Sequence, residues 1–201
     1  LLLLGFVFAE QIQSYTESIT LNENIIFSKS SPYQRIIVTS DKGVARLYLN
    51  NNLQFSSADE YRYHEALVHP GLSRIKDPKH VLILGGGDGL AVREVLKYPG
   101  VDSITLVDLD SAVTSVFRNS KFLGKLNDNA LSSSKLKVIN TDAFSWLKNN
   151  QRVFDFIIID FPDPSNFSVG KLYTTSFYRE IKKALAPEGA FVVQSTSPYI
   201  A

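Results

Sequence analysis

The stretch His80-Val81-Leu82-Ile83-Leu84-Gly85-Gly86-Gly87-Asp88-Gly89-Leu90 decides the fold: a short apolar run flows into a glycine-rich loop and then into a helical pattern over Leu90 to Lys97. An apolar run without polar alternation reads as a strand buried on both faces. Runs of the same kind follow at Ile104-Thr105-Leu106-Val107, Leu136-Lys137-Val138-Ile139, Phe156-Ile157-Ile158-Ile159 and Ala190-Phe191-Val192-Val193. Helical patterns at Ala112 to Arg118, Ala143 to Lys148 and Ser176 to Leu185 lie between them. This alternation predicts an α/β fold with a doubly wound, mostly parallel sheet. Ligands of such sheets bind beyond the carboxyl ends of the strands. The residues to interrogate are therefore Gly85 to Gly89, Asp108 and Asp110, Asp142, Asp160 to Pro164, and Gln194 to Ser197.

Toward the N-terminus the pattern changes. Ile25 to Phe27, Tyr33 to Thr39, Val44 to Leu49 and Leu53 to Phe55 are strand-like, with turn-formers Ser40-Asp41-Lys42-Gly43 and Asn50-Asn51-Asn52 between them. This predicts a small antiparallel β domain. Asp59 to Val68 then has acids in its first turn and apolar residues at helical spacing, and is expected to end before Pro70-Gly71 as a linking helix. The expected organisation is an apolar segment over 1–20, the β domain with its helix over 21–75, and a nucleoside-binding domain over 76–201 that is C-terminally incomplete. The opening Leu1 to Ala9 is unbrokenly apolar. It is too short to cross a bilayer, which takes about 20 residues. It reads either as the last turns of a membrane helix or as an ordinary buried strand or helix, and both readings stay open.

Composition narrows the function classes. Across 201 residues, 21 Lys and Arg face 20 Asp and Glu, a net charge of +1, which argues against a nucleic-acid partner. There is no cysteine, so disulfides, thiolate nucleophiles and thiolate metal sites are excluded. His64-Glu65 and His69 resemble a zinc-protease motif, but histidines five apart do not share a helix face. Neither a phosphate loop ending in Gly-Lys-Ser/Thr nor a Gly-x-Ser-x-Gly elbow occurs.

The glycine spacing separates ligand classes. A dinucleotide fingerprint needs a glycine three positions after Gly87, where this chain has Leu90. Gly85, Gly87 and Gly89 alternate instead, which favours a nucleoside without a pyrophosphate. Asp108, at the end of the second run, is placed to accept both hydrogen bonds of a ribose diol. Asp142, followed by the small Ala143, suits the edge of an adenine. Asp160-Phe161-Pro162-Asp163-Pro164 offers two acids on a proline-stiffened chain, and Asp88 adds a third within the glycine loop. Such carboxylates suit a cationic substrate and could take a proton from an attacking amine. Helix capping and an acidic metal site are the competing readings, the metal being disfavoured because no further ligand pattern accompanies the acids.

These residues resemble the spermidine synthase family of polyamine aminopropyltransferases. The likeness runs from about Ser31 to Pro198 and is carried by Ser31-Pro32-Tyr33-Gln34, Leu49 to Gln54, Asp59-Glu60 with Tyr63-His64-Glu65, Gly85 to Gly89 with Arg93-Glu94, Val107 to Asp110, Asp142, Asp160 with Asp163-Pro164, and Leu172-Tyr173-Thr174 with Phe177-Tyr178. It implies a small β domain followed by a methyltransferase-like Rossmann domain. The implied reaction moves an aminopropyl group from decarboxylated S-adenosylmethionine, a co-substrate rather than a prosthetic group, to putrescine. By the same resemblance, Gln34, His64, Gly85, Gly87, Asp88, Asp108, Asp142 and Ala143 would bind the donor. Tyr63, His64, Asp88, Asp160 and Asp163 would hold the polyamine, with Asp160 as proton acceptor and no metal. The chain departs from the family in Ser165-Asn166-Phe167 after Pro164, in Asp108 where glutamate is usual and in Ala143 where glycine is common.

The resemblance also implies a homodimer, small-molecule diamine and nucleoside partners, and a cytoplasmic location. The wording around Tyr33 to Ile36 and Gln54 to Pro70 resembles a bacterial membrane-associated branch, which would make the chain the cytoplasmic domain of an inner-membrane protein with an N-terminal tether. The alternatives are an S-adenosylmethionine-dependent small-molecule N-methyltransferase and a non-catalytic polyamine-binding domain of a membrane protein.

Overall fold

The computed structural model describes residues 8–164 and 167–195. The expectations placed on Leu1 to Val7, on Ser165-Asn166 and on Thr196 to Pro198 lie outside the described residues. The chain divides into two compact units, the first ending at Tyr61 and the second beginning at Arg62.

In the first unit a helix α1 (Ala9–Leu21) precedes four strands, β1 (Ile25–Ser30), β2 (Arg35–Asp41), β3 (Val44–Leu49) and β4 (Asn52–Ser56). They form an antiparallel meander in the order β1-β2-β3-β4. Two tight turns set its register, one at Lys42-Gly43 and one at Asn50-Asn51, all four residues having positive φ. Paired positive φ matches the right-handed twist of flanking strands, and Asn and Gly adopt it at low cost. Ile36, Ile37 and Val38 of β2 are fully buried. Helix α1 was not foreseen in the sequence, although Phe8, Ile12, Tyr15 and Ile19 fall at helical spacing on one face, and all four stay exposed. It is tied instead by a forked ion pair from Arg35 to Glu17, with Nε–Oε1 at 3.0 Å and Nη2–Oε2 at 2.7 Å. Among the described residues no helix is long and apolar enough to cross a membrane.

The second unit carries α2 (Glu60–Leu72), whose first residues precede the division, and then β5 (His80–Gly85), α3 (Leu90–Leu96), β6 (Ser103–Asp108), α4 (Ser111–Asn119), α5 (Lys121–Leu126), β7 (Leu136–Asn140), α6 (Ala143–Asn149), β8 (Phe154–Asp160), α7 (Phe167–Gly170), α8 (Thr175–Ala184) and β9 (Leu185–Val193). All five strands are parallel, in the order β7-β6-β5-β8-β9. The doubly wound α/β sheet read from the apolar runs is therefore present. Val81 to Leu84 and Phe156 to Ile158 are fully buried, as strands covered on both faces must be. Strand order reverses at β5, whose chain continues to β6 on one side while β8 flanks the other. That opens the crevice at the carboxyl ends of these strands.

Two expectations need correction. Helix α2 does not stop before Pro70 but continues through Gly71 to Leu72. Proline in the last turn forfeits a single backbone bond. The extra turn brings Gly71 against β8, where an added Cβ would lie 2.6 Å from the Phe156 ring. Strand β7 ends at Asn140, so Asp142 caps the following helix rather than ending the strand.

Gly71→Ala is expected to destabilise the protein by about 1–3 kcal/mol through overpacking. In urea denaturation the added cost should shrink when Phe156→Leu vacates the ring's space, so that the double variant loses less than the sum of the singles.

Candidate active site

Gly85 pairs with Asp160 across β5 and β8, and a Cβ on Gly85 would sit 2.1 Å from the Asp160 carbonyl oxygen. Only glycine fits there, and its φ of +82° turns the chain off the strand and into the loop. The loop is then anchored on β6. The Gly87 N–H donates to Asp108 Oδ2 at 3.0 Å and the Asp110 N–H to Oδ1 at 2.8 Å. Burial pushes the Asp108 carboxyl up to about 7, with the charges of Asp88 and Asp110 adding to the shift and the two backbone donors opposing it.

Asp160 ends β8, and its Oδ1 accepts a hydrogen bond from the Tyr63 hydroxyl of α2. Burial and the nearby Asp88 charge push the Asp160 carboxyl up to about 6, against the Tyr63 hydrogen bond and the positive influence of His64. Burial, then the Asp160 charge, drives the Tyr63 hydroxyl strongly upward, so it remains a donor at neutral pH. His64 is 2% exposed and its ring meets that of Tyr63 edge-on, with centroids 4.8 Å apart. Asp88 accepts from the Leu90 N–H at 2.9 Å. Asp160, Tyr63, His64 and Asp88 are thus brought together, with Asp108 beside them on the neighbouring strand.

Asp142 and Ala143 sit at the start of α6. The Thr141 N–H donates to the Asp108 carbonyl at 3.0 Å, which ties this turn to the end of β6. Asp142 Oδ1 caps Ser145 N at 2.9 Å and accepts from its hydroxyl at 2.8 Å, while Oδ2 accepts from Lys171 Nζ at 2.6 Å. Burial raises the Asp142 carboxyl, but the Lys171 and Ser145 hydrogen bonds outweigh it and hold the group below its usual range. Asp163 is exposed on the loop after β8. Tyr173 fixes that loop by donating to the carbonyls of Pro162 at 3.0 Å and Phe161 at 3.3 Å. Its hydroxyl is pushed up to about 12 by burial, then by Asp163, Tyr178 and Asp160. Gln34 belongs to the first unit, where its N–H donates to Ser31 Oγ at 3.0 Å and its carbonyl accepts from Ser31 N at 2.9 Å. Among the described residues, no three His, Asp or Glu side chains form a group suited to a metal ion.

Three residues escaped the sequence reading of the site. Lys171 pairs with Asp142, Tyr173 fixes the β8 loop, and Asn127 donates from Nδ2 to the Asp88 carbonyl at 2.7 Å. Only Tyr173 carried a signal, as part of the family-like Leu172-Tyr173-Thr174.

A doubly wound parallel sheet with a glycine loop braced on a strand-end acid defines the class of Rossmann-like α/β domains. The Spermine/spermidine synthase domain matches residues 60–201, and the chain belongs to that family. It is 56% identical over 201 residues to a polyamine aminopropyltransferase of Leptospira interrogans, covering 100% of this chain and 40% of that protein. It is 51% identical over 200 residues to polyamine aminopropyltransferase 2 of Ralstonia nicotianae, covering 100% of this chain and 39% of that protein. The chain thus spans about 40% of the length of these relatives. A crystal structure of spermidine synthase in complex with the transition state analogue AdoDATO superimposes with a TM-score of 0.78 at 31% identity, over 84% of this chain and 57% of that one.

The raised Asp160 makes the folded state hold its proton more tightly than the unfolded chain, whose aspartates titrate near 4. Its contribution to stability is therefore present at low pH and lost as pH rises from about 4 to about 6. Asp160→Asn removes this penalty and keeps an oxygen for the Tyr63 hydroxyl. Thermal melts at pH 8 should place the variant about 5–10 °C above the native protein. The difference should close at pH 4.

Proposed function

We propose that the protein is an aminopropyltransferase that moves the aminopropyl group of decarboxylated S-adenosylmethionine to putrescine, giving spermidine and methylthioadenosine. The observation that carries this reading is Asp160: a half-buried carboxylate with its pKa raised to about 6, oriented by Tyr63 and lying in the field of Asp88, at the end of β8. Membership in the spermidine synthase family supports it.

In this reading Asp108 accepts the ribose hydroxyls, while Asp142 and Ala143 meet the adenine edge. Asp142 already receives Ser145 N, Ser145 Oγ and Lys171 Nζ, so of about four acceptor positions on a carboxylate one remains for an exocyclic amine. Asp88 and His64 line the path of the aminopropyl chain, and Asp163 receives the remote ammonium of the diamine. The donor's sulfonium makes the adjacent methylene carbon electrophilic. A neutral amine nitrogen attacks that carbon, the C–N bond forms as the C–S bond breaks, and the sulfur leaves as the neutral thioether. The nitrogen gives up one proton, which Asp160 accepts. A carboxylate with a pKa near 6 is ionised at neutral pH yet more basic than an exposed one, as this task asks. Alignment of amine, carbon and sulfur supplies most of the remaining acceleration. Asp88 also bears on donor choice: it attracts the terminal ammonium of the decarboxylated donor and repels the carboxylate of ordinary S-adenosylmethionine.

Mass spectrometry of products from the intact protein, putrescine and either form of the donor tests the reading. Spermidine and methylthioadenosine are expected with the decarboxylated donor alone. Methylated amine from the ordinary donor would replace aminopropyl transfer by N-methylation, and tight polyamine binding without product would point to a sensing domain.

Asp160→Asn should lower kcat by about 10²–10⁴ while leaving the donor Kd within about threefold. In the native protein kcat/KM for the amine should break near pH 6, falling below it as Asp160 is protonated. Activity in the Asn variant equal to the native level would remove Asp160 from the proton-acceptor role.

A further inference from the structure

The glycine loop is also held by Asn127. Its side chain is 0% exposed, and Nδ2 donates to the Asp88 carbonyl at 2.7 Å. Nδ2 also lies 3.0 Å from where a Gly89 Cβ would stand. Its Oδ1 is buried and has no hydrogen-bond partner among the described residues. The unpartnered Oδ1 costs the fold something, and what the amide gives in return is the Nδ2 bond that holds the Asp88 carbonyl in place.

The neighbourhood holds this amide in place. Arg93 Nη1 donates to the Leu126 carbonyl at 2.6 Å, and Arg93 Nε pairs with Glu94 Oε1 at 2.8 Å. Glu94 is fully buried and also pairs with Lys97 at 2.6 Å and His69 at 2.9 Å. The Asn127 carbonyl accepts from Ala130 N at 2.9 Å, closing a turn in which Asp128 and Asn129 both have positive φ. Asp88 is consequently held at both ends: Asn127 takes its carbonyl, and the Leu90 N–H takes its carboxylate at 2.9 Å.

We propose that Asn127 is a positioning residue for donor selection, fixing the direction in which the Asp88 carboxylate faces the donor's terminal ammonium. This rests on the donor-facing role given to Asp88 above. Loss of the amide lets the loop turn about its glycines, which weakens the attraction for an ammonium and the repulsion of a carboxylate together. Binding of the diamine, which the proposed function seats mainly on Asp160 and Asp163, changes less than binding of the donor.

The test measures, in the intact protein, steady-state constants and calorimetric affinities for decarboxylated and ordinary S-adenosylmethionine, in native, Asn127→Ala and Asn127→Leu forms. Both variants should raise the KM of the decarboxylated donor about three- to tenfold, the size of one lost hydrogen bond. The ratio of the two donor Kd values should fall by a similar factor, while the diamine KM stays within about twofold. Asn127→Leu, close in volume and without the orphaned oxygen, should melt no lower than Asn127→Ala. Variants that keep the native donor ratio overturn the proposal whatever their melting temperature, because a merely structural role lowers stability without changing selectivity. A native protein that discriminates the donors while the variants discriminate equally well sinks this proposal alone. A native protein that binds neither donor sinks the aminopropyl reading as well.

Discussion

No side chain fits between the ends of β5 and β8. The Asp160 carbonyl occupies the volume that a Cβ on Gly85 would need, and every feature of the site follows from that close approach. Because the strands are parallel and in register to their last residues, Gly85 and Asp160 leave the sheet side by side. The positive φ at Gly85 then folds the loop back over the strand ends. There Gly87 meets Asp108 through its N–H, and a Cβ on Gly87 would stand 2.7 Å from that carboxylate. Asp88 is thereby carried into the field shared by Asp160 and Asp108.

Concentrating carboxylates in a buried crevice runs against folding. Asp108 and Asp160 are both pushed upward, chiefly by burial and then by other negative charges. The opposing contacts are few: two backbone donors on Asp108, and the Tyr63 hydroxyl with the influence of His64 on Asp160. Elsewhere the same unit treats acids differently. Glu94 is fully buried where Asp108 and Asp160 are only partly so, but Lys97 and Arg93 overcome its desolvation and hold it low. The contrast separates an acid whose charge serves the fold from acids left under tension where a cationic ligand would relieve it.

The sheet was legible because burial on both faces leaves its mark on every residue of a strand, as in Val81 to Leu84 and Ile157 to Ile159. Asp108 and Asp160 were legible because strand ends follow from strand positions. The pairings were not. Tyr63 and Asp160 are 97 residues apart, Asn127 and Asp88 39, and Lys171 and Asp142 29, and no periodicity encodes such contacts. Tyr63 was reached through family resemblance, whereas Lys171 and Asn127 had neither pattern nor motif. Pro70 misled for a different reason: packing of Gly71 on Phe156 makes another turn of helix worth more than the bond that proline loses.

The arrangement couples charge at one position to proton affinity at two others. Asp88 contributes to the raised pKa of both Asp160 and Asp108, so a cation bound against Asp88 cancels part of that field and lowers both together. Binding a positively charged molecule at the glycine loop therefore favours ionised Asp160, and protonation of Asp160 in turn weakens that binding by the same factor.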